Sequence, residues 1–146
     1  MSETSSLFTA KARSVGGREG RATAERGTPS LPMALPPAFG GPEDPGEATN
    51  PEELFALGYG ACFLSTVQFI ARSQKISAKD FTVDTAVSLL QAGEGFQLGV
   101  SLDVTTPGVE QATAAELVRA AHGTCVYSKA IQGNVEVDLR ANGQPV

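Results

Sequence analysis

An α+β fold is what this sequence predicts, with antiparallel sheets wrapped around central helices. Two stretches alternate apolar and polar residues on either side of a Gly-containing connection, the mark of β-hairpins. Two further segments carry helix-start signals, and the predicted order is ββ, α, ββ, α, β. Strands in adjacent pairs, with helices between the pairs, favour α+β over a parallel doubly wound sheet. The first helix is apolar over much of its surface, which suits a central helix covered by sheets or by a second subunit.

Each element has a local reason. Residues 6–26, SLFTAKARSVGGREGRATAER, alternate roughly on both sides of GGREG and predict a hairpin with Arg18 in its turn. From Gly27 to Asn50 the chain holds Pro29, Pro32, Pro36, Pro37, Pro42 and Pro45, which excludes a long helix and any central strand. A long connection is expected there, with a short edge strand near Leu31 to Leu35. Asn50 is a favoured N-cap, Pro51 suits the first helical position, and Glu53 stands where a capping box needs it, so a helix starts here. FTVDTAVSLL and FQLGVSLDVTT, separated by QAGEG, predict the second hairpin. Thr113 is expected to cap a second helix with Glu116 in the reciprocal position and Gly123 as its stop. Val135, Val137 and Leu139 alternate in a last strand.

At 146 residues the chain fits one domain, 1–146, and the 41% apolar content can fill a core. A net charge of −5 with scattered Lys and Arg leaves no basic stripe, so nucleic acid is not an expected partner. The start lacks a basic segment followed by an apolar run, and no stretch is expected to reach the roughly 18 apolar residues of a membrane span. The expectation is a soluble cytoplasmic protein without a membrane partner. In that compartment the two cysteines, Cys62 and Cys125, are more often buried or catalytic than permanently bridged.

Taken alone, Cys62 in GYGACFLST reads first as packing, since free cysteine is among the most buried residue types. For chemistry it must be a thiolate, which at a reference pKa of about 8.5 is a minor species at neutral pH. Mid-helix placement gives little macrodipole help. A shift to about 6 asks for roughly 3 to 4 kcal/mol, which one partly buried Arg contact can supply.

Three motifs, GGREGRA, TNPEELFALGYGACF and AHGTCVYSKAIQGNVEVDL, stand in the order and spacing of the organic hydroperoxide resistance proteins, which the chain resembles over nearly its whole length. These are thiol peroxidases of the family that also holds the osmotically inducible peroxidases. The resemblance implies an intertwined homodimer and a peroxidatic cysteine at Cys62, whose thiolate attacks the O–O bond of an organic hydroperoxide. It implies a resolving cysteine at Cys125, which closes a disulfide on the resulting sulfenic acid. Arg18 matches the arginine that pairs with the thiolate, and Glu52 matches the carboxylate that orients it. No cofactor is bound in the family. The reductant is external, dihydrolipoamide or a lipoylated enzyme subunit. The tyrosine and serine after Cys125 look like the organic hydroperoxide branch, while Val126 stands where the family usually has proline. Loss of that proline restores an N–H donor and is expected to alter disulfide formation and not the peroxidatic step.

Without the joint pattern, Arg18 is a solvated charge, Glu52 and Glu53 are ordinary first-turn acids, and Cys125 is a packed small residue. One straight helix over 51–62 sets Glu52 and Cys62 about 15 Å apart, so a break near Gly58 and Gly60 is expected. Phe39, Phe63, Phe96 and Tyr127 are the candidate walls of an apolar substrate pocket. A metal site of Cys62, His122 and Cys125 falls short of the usual four ligands, and no metal is expected. The glycine-rich segments match no nucleotide loop. A non-enzymatic protein that binds an apolar ligand on the same scaffold is the alternative function. A general thiol-disulfide oxidoreductase is weakened by the absence of a C-x-x-C pair.

Overall fold

A computed structural model describes residues 2–146 and divides into two compact units, Met1–Pro51 and Glu52–Val146. In the first, β1 (Ala12–Val15), β2 (Arg21–Ala24) and β3 (Ser30–Pro32) form an antiparallel sheet in that order. The GGREG turn is a single 3-10 turn, Gly17–Glu19, and its glycines have separate tasks. Gly16 and Gly17 take positive φ of 75° and 60°. A Cβ on Gly20 would fall 1.6 Å from the Val15 carbonyl oxygen, so no side chain fits there. Arg18 sits in this turn, as predicted. The edge strand of the Pro-rich segment is β3, continued by one bridge between Met33 and Thr49; the Thr49 N–H donates to Pro32 O at 2.9 Å. A second 3-10 turn, Pro37–Phe39, follows.

The second unit is built on α1 (Pro51–Ser73), an unbroken helix of 23 residues. Its most apolar 18-residue window has a mean hydropathy of 1.6, long and apolar enough to cross a membrane by length and composition, which corrects the expectation that no stretch comes near that limit. The same helix supplies the core: Tyr59, Phe63, Val67 and Ala71, at i, i+4 spacing, are all fully buried. They pack with Phe81, just ahead of the sheet's first strand, with Val100, Leu102 and Val104 of the sheet, and with Leu117, Val118 and Ala121 of α2 (Gln111–Thr124).

That sheet has four strands in the order β4 (Thr82–Ala92), β5 (Gly95–Thr105), β6 (Val137–Ala141), β7 (Gln144–Pro145). The β4–β5 hairpin is as predicted, though its strands extend to a two-residue turn at Gly93 and Glu94. The sheet is mixed and not wholly antiparallel: β6 runs parallel to β5, Val100 opposite Val137. The crossover through α2 makes this possible, because it carries the chain back to the same end of the sheet. The helix limits also differ. α2 begins at Gln111 with Glu110 at the N-cap, two residues before Thr113. It runs through Gly123 to Cys125, which ends α2 and starts a short helix α3 (Val126–Ile131). Neither α3 nor β7 is signalled in the sequence.

Candidate active site

The unbroken course of α1 overturns the expected break at Gly58 and Gly60, and the side chains around those glycines give the reason. A Cβ on Gly60 would lie 2.7 Å from Thr85 Oγ1 of β4, and one on Gly58 would lie 3.0 Å from the Tyr127 hydroxyl. Both glycines are there for close approach, at a helix-propensity cost of about 1 kcal/mol each. Glu52 and Cys62 therefore stand ten residues apart on one continuous helix, about 15 Å along its axis. They do not meet directly. Glu52 occupies the first turn of α1, and Arg18 the GGREG turn of the first unit.

What the second unit does bring together is the pair of cysteines. Cys62, part-exposed on α1, and Cys125, only 1% exposed at the start of α3, are free thiols with their sulfurs 3.6 Å apart, hydrogen-bonded to each other. A disulfide needs about 2.0 Å, so the two are in contact and a small movement would join them. Burial, and then the hydrogen bond with Cys125, push the Cys62 thiol above the usual cysteine value. The backbone N–H groups of Tyr127 and Val126 favour the thiolate and pull the other way, and do not prevail.

Behind the sulfurs lies a hydrogen-bonded chain with no signal in the sequence. The Tyr59 hydroxyl meets Ser128 Oγ at 2.7 Å, and Ser128 Oγ meets His122 Nδ1 at 3.0 Å. Tyr59 and Ser128 are buried, and burial raises the Tyr59 pKa, with the Ser128 bond opposing and the two nearby cysteines adding to the rise. His122 thus serves a hydroxyl. Among the described residues, no group of three or more His, Cys, Asp and Glu is placed to hold a metal ion. The sequence hid this chain because it depends on the bend at Cys125, which turns Ser128 back toward the end of α2.

The candidate wall residues divide. Tyr127 stacks on Tyr59 with ring centroids 5.8 Å apart, meets Phe55 edge-on at 6.3 Å, and leaves 39% of its surface exposed. It follows Cys125 by two residues and sets its ring against α1. Phe63 is fully buried, edge-on to Tyr59, and packs the interior, which corrects its place as a pocket wall. Phe96 lies at the β4–β5 hairpin end opposite Gln91, and Phe39 in the second 3-10 turn of the first unit.

An α+β scaffold that holds two reduced thiols in contact, one part-exposed and one buried, defines a dithiol protein. The chain belongs to the OsmC-like protein family, whose model matches residues 43–140. It is 44% identical over 137 residues to the organic hydroperoxide resistance protein OhrA of Bacillus subtilis, which covers 91% of this chain and 94% of that one. The crystal structure of an organic hydroperoxide resistance protein from Legionella pneumophila superposes with a TM-score of 0.85 at 43% identity, covering 94% of this chain and 98% of that one. The crystal structure of OhrB of Bacillus subtilis does so with 0.84 at 40% identity, covering 94% of this chain and all of the other, 100%.

Proposed function

We propose that this chain is a cysteine-based peroxidase that reduces organic hydroperoxides to alcohols. The observation that carries the reading is the 3.6 Å contact between Cys62 and Cys125, and the names of its relatives point to the substrate class. The Cys62 thiolate attacks the outer oxygen of R–O–O–H and breaks the O–O bond. The sulfur is oxidised to sulfenic acid, and the alkoxide takes a proton and leaves as the alcohol. The Cys125 sulfur then attacks the Cys62 sulfur and expels the hydroxyl as water, its own proton accounting for the second hydrogen. A dihydrolipoyl group, free or on a lipoylated enzyme subunit, reduces the disulfide to two thiols and becomes a cyclic disulfide itself.

A thiol pushed up by burial needs a cation to react at neutral pH. Arg18 takes that role in this reading, with Glu52 orienting it, as the family resemblance implies. Tyr127 forms one wall of the substrate site, with Phe39 and Phe96 as further contacts. An alkyl tail gains about 25 cal/mol per Å² buried, and H2O2 has no tail, so organic peroxides are preferred.

The working form in this reading is a cytoplasmic homodimer. Its support is the outward stripe of α1, where Leu57 and Phe69 are 69% and 65% exposed and lie in line with Ala61 and Ser65. The test of the function is steady-state consumption of tert-butyl hydroperoxide with dihydrolipoamide as the sole reductant. Turnover that saturates in both, much faster than with H2O2 or with thioredoxin, supports the reading. Intact peroxide after many equivalents of reductant favours a non-enzymatic binding protein instead.

A further inference from the structure

Cys125 lies at a bend whose backbone is fixed on both sides. Its N–H donates to Ala121 O of α2 at 2.8 Å, and its carbonyl accepts the Lys129 N–H of α3 at 3.0 Å. These bonds leave open the distance of the bend from α1. The six residues of α3 fall far short of the roughly 12 to 15 that let a helix stand alone, so its place depends on contacts with its neighbours. Across to α1 the side chains pair in two rungs. Tyr59 and Cys62 are three residues apart on α1, which makes them neighbours on its surface, and Cys125 and Ser128 are three apart along the bend. One rung is the thiol contact at 3.6 Å, and the other joins the Tyr59 hydroxyl to Ser128 Oγ at 2.7 Å. His122, three residues before Cys125, closes the second rung from behind, its Nδ1 3.0 Å from Ser128 Oγ. Tyr59 and Ser128 are 0% and 2% exposed, so a partner lost here is not replaced by bulk water.

We propose that the Tyr59–Ser128–His122 chain positions the resolving thiol: it fixes the distance of the Cys125 bend from α1, and with it the effective concentration of the Cys125 sulfur at Cys62. Tyr59, Ser128 and His122 are positioning residues, acting through Cys125. This rests on the peroxidase reading and adds to it what governs the second step. In that step the Cys125 sulfur attacks the Cys62 sulfenic sulfur, an S–S bond forms, the S–O bond breaks, and the hydroxide leaves as water with the Cys125 proton. The rate of an intramolecular step follows how well its two atoms are held in reach. The peroxide step uses Cys62, which α1 carries independently of the chain. The coupling is reciprocal: a bond that brings the sulfurs together is itself strengthened by the disulfide, so the chain also stabilises the oxidised pair. The carrier is the Tyr59 hydroxyl and not its ring. The ring stacks on Tyr127 at 5.8 Å and meets Phe55 edge-on at 6.0 Å, contacts that a phenylalanine retains.

The experiment compares Tyr59→Phe with the wild type by the reduction potential of the Cys62–Cys125 pair, titrated against mixtures of dihydrolipoamide and lipoamide. Loss of one ordinary hydrogen bond corresponds to a factor of roughly three to ten in the closure equilibrium. For a tenfold loss the potential of the variant should rise by about 30 mV, since the couple transfers two electrons. Loss of packing alone would lower the melting temperature and leave the potential in place. The kinetic counterpart uses one equivalent of cumene hydroperoxide. Dimedone should trap roughly three to ten times more Cys62 sulfenic acid in the variant, while iodoacetamide alkylates Cys62 at the wild-type rate. A folded Tyr59→Phe with the wild-type potential and the wild-type trapping would overturn the proposal. Should Tyr59→Phe fail to fold, His122→Ala, at the part-exposed end of the chain, decides by the same potential: a rise sustains the proposal and no change overturns it. The potential needs no peroxide. A wild type that leaves alkyl hydroperoxide intact while the variant shows the raised potential would sink the peroxidase reading and sustain the positioning.

Discussion

The sulfurs of Cys62 and Cys125, 63 residues apart in sequence, meet at 3.6 Å where α1 passes the start of α3. Because the buried partner is already in contact, the second step, condensation of the sulfenic acid with the Cys125 thiol, needs no large rearrangement of the second unit. Cys125→Ser should keep the first step and lose the second. After one equivalent of alkyl hydroperoxide, this variant should carry a sulfenic acid on Cys62 that dimedone traps, whereas the wild type should trap little. Equal trapping in both would separate Cys125 from resolution.

Arg18→Ala tests the source of the charge. Burial and Cys125 leave the Cys62 thiol above its ordinary value, and each pKa unit gained from a cation is a tenfold gain in thiolate below that pKa. The variant should lose about two orders of magnitude in peroxide reduction at pH 7 while melting within a few degrees of the wild type. An unchanged rate would remove Arg18 from the mechanism.

The raised phenol also fixes the sign of the alkaline response. Tyr59 has a higher pKa folded than unfolded, since burial disfavours its anion. Above the unfolded value, about 10, the unfolded chain holds fewer protons at this group than the native one, so stability falls as pH rises. Below about pH 9 this group adds no pH dependence. Melting temperature should decline from about pH 10 upward, and Tyr59→Phe should flatten that decline. A stability that climbs through this range would contradict the assigned direction.

Gly60 and Thr85 make a matched pair. Gly60→Ala sets a methyl 2.7 Å from Thr85 Oγ1, an overpacking cost of about 1 to 3 kcal/mol that outweighs the gain in helix propensity. The Thr85 hydroxyl is itself buried without a hydrogen-bond partner. Thr85→Val should thus raise the melting temperature by a few degrees, since an unmade hydrogen bond of about 1 to 3 kcal/mol disappears. The double variant Gly60→Ala, Thr85→Ala should recover most of the loss of the first. Thermal melts of the four proteins decide both points.

Most elements were legible because their signals are local. Pro51 after Asn50 marks the start of α1, the glycines of GGREG mark the first turn, and the alternation of 82–105 marks the long hairpin. What escaped depends on contacts distant in sequence. The two glycines of α1 look like a break until Thr85 and Tyr127 are seen against them. The parallel pairing of β6 with β5 leaves no trace in the alternation of Val135, Val137 and Leu139, which is the same for either direction. The helix α3 lacks a capping residue, since its N-cap is Cys125, and so the Tyr59, Ser128 and His122 chain built on it was hidden too. The two cysteines were candidates from the resemblance, but their contact is a property of the fold.

The most direct test of the account mixes reduced wild-type protein with one equivalent of cumene hydroperoxide and follows intact mass, free thiols and alcohol product together. The account predicts loss of two mass units and both thiols, a Cys62–Cys125 linked peptide, and one equivalent of cumyl alcohol, all far faster than with H2O2. Survival of both thiols while the hydroperoxide remains intact would contradict it.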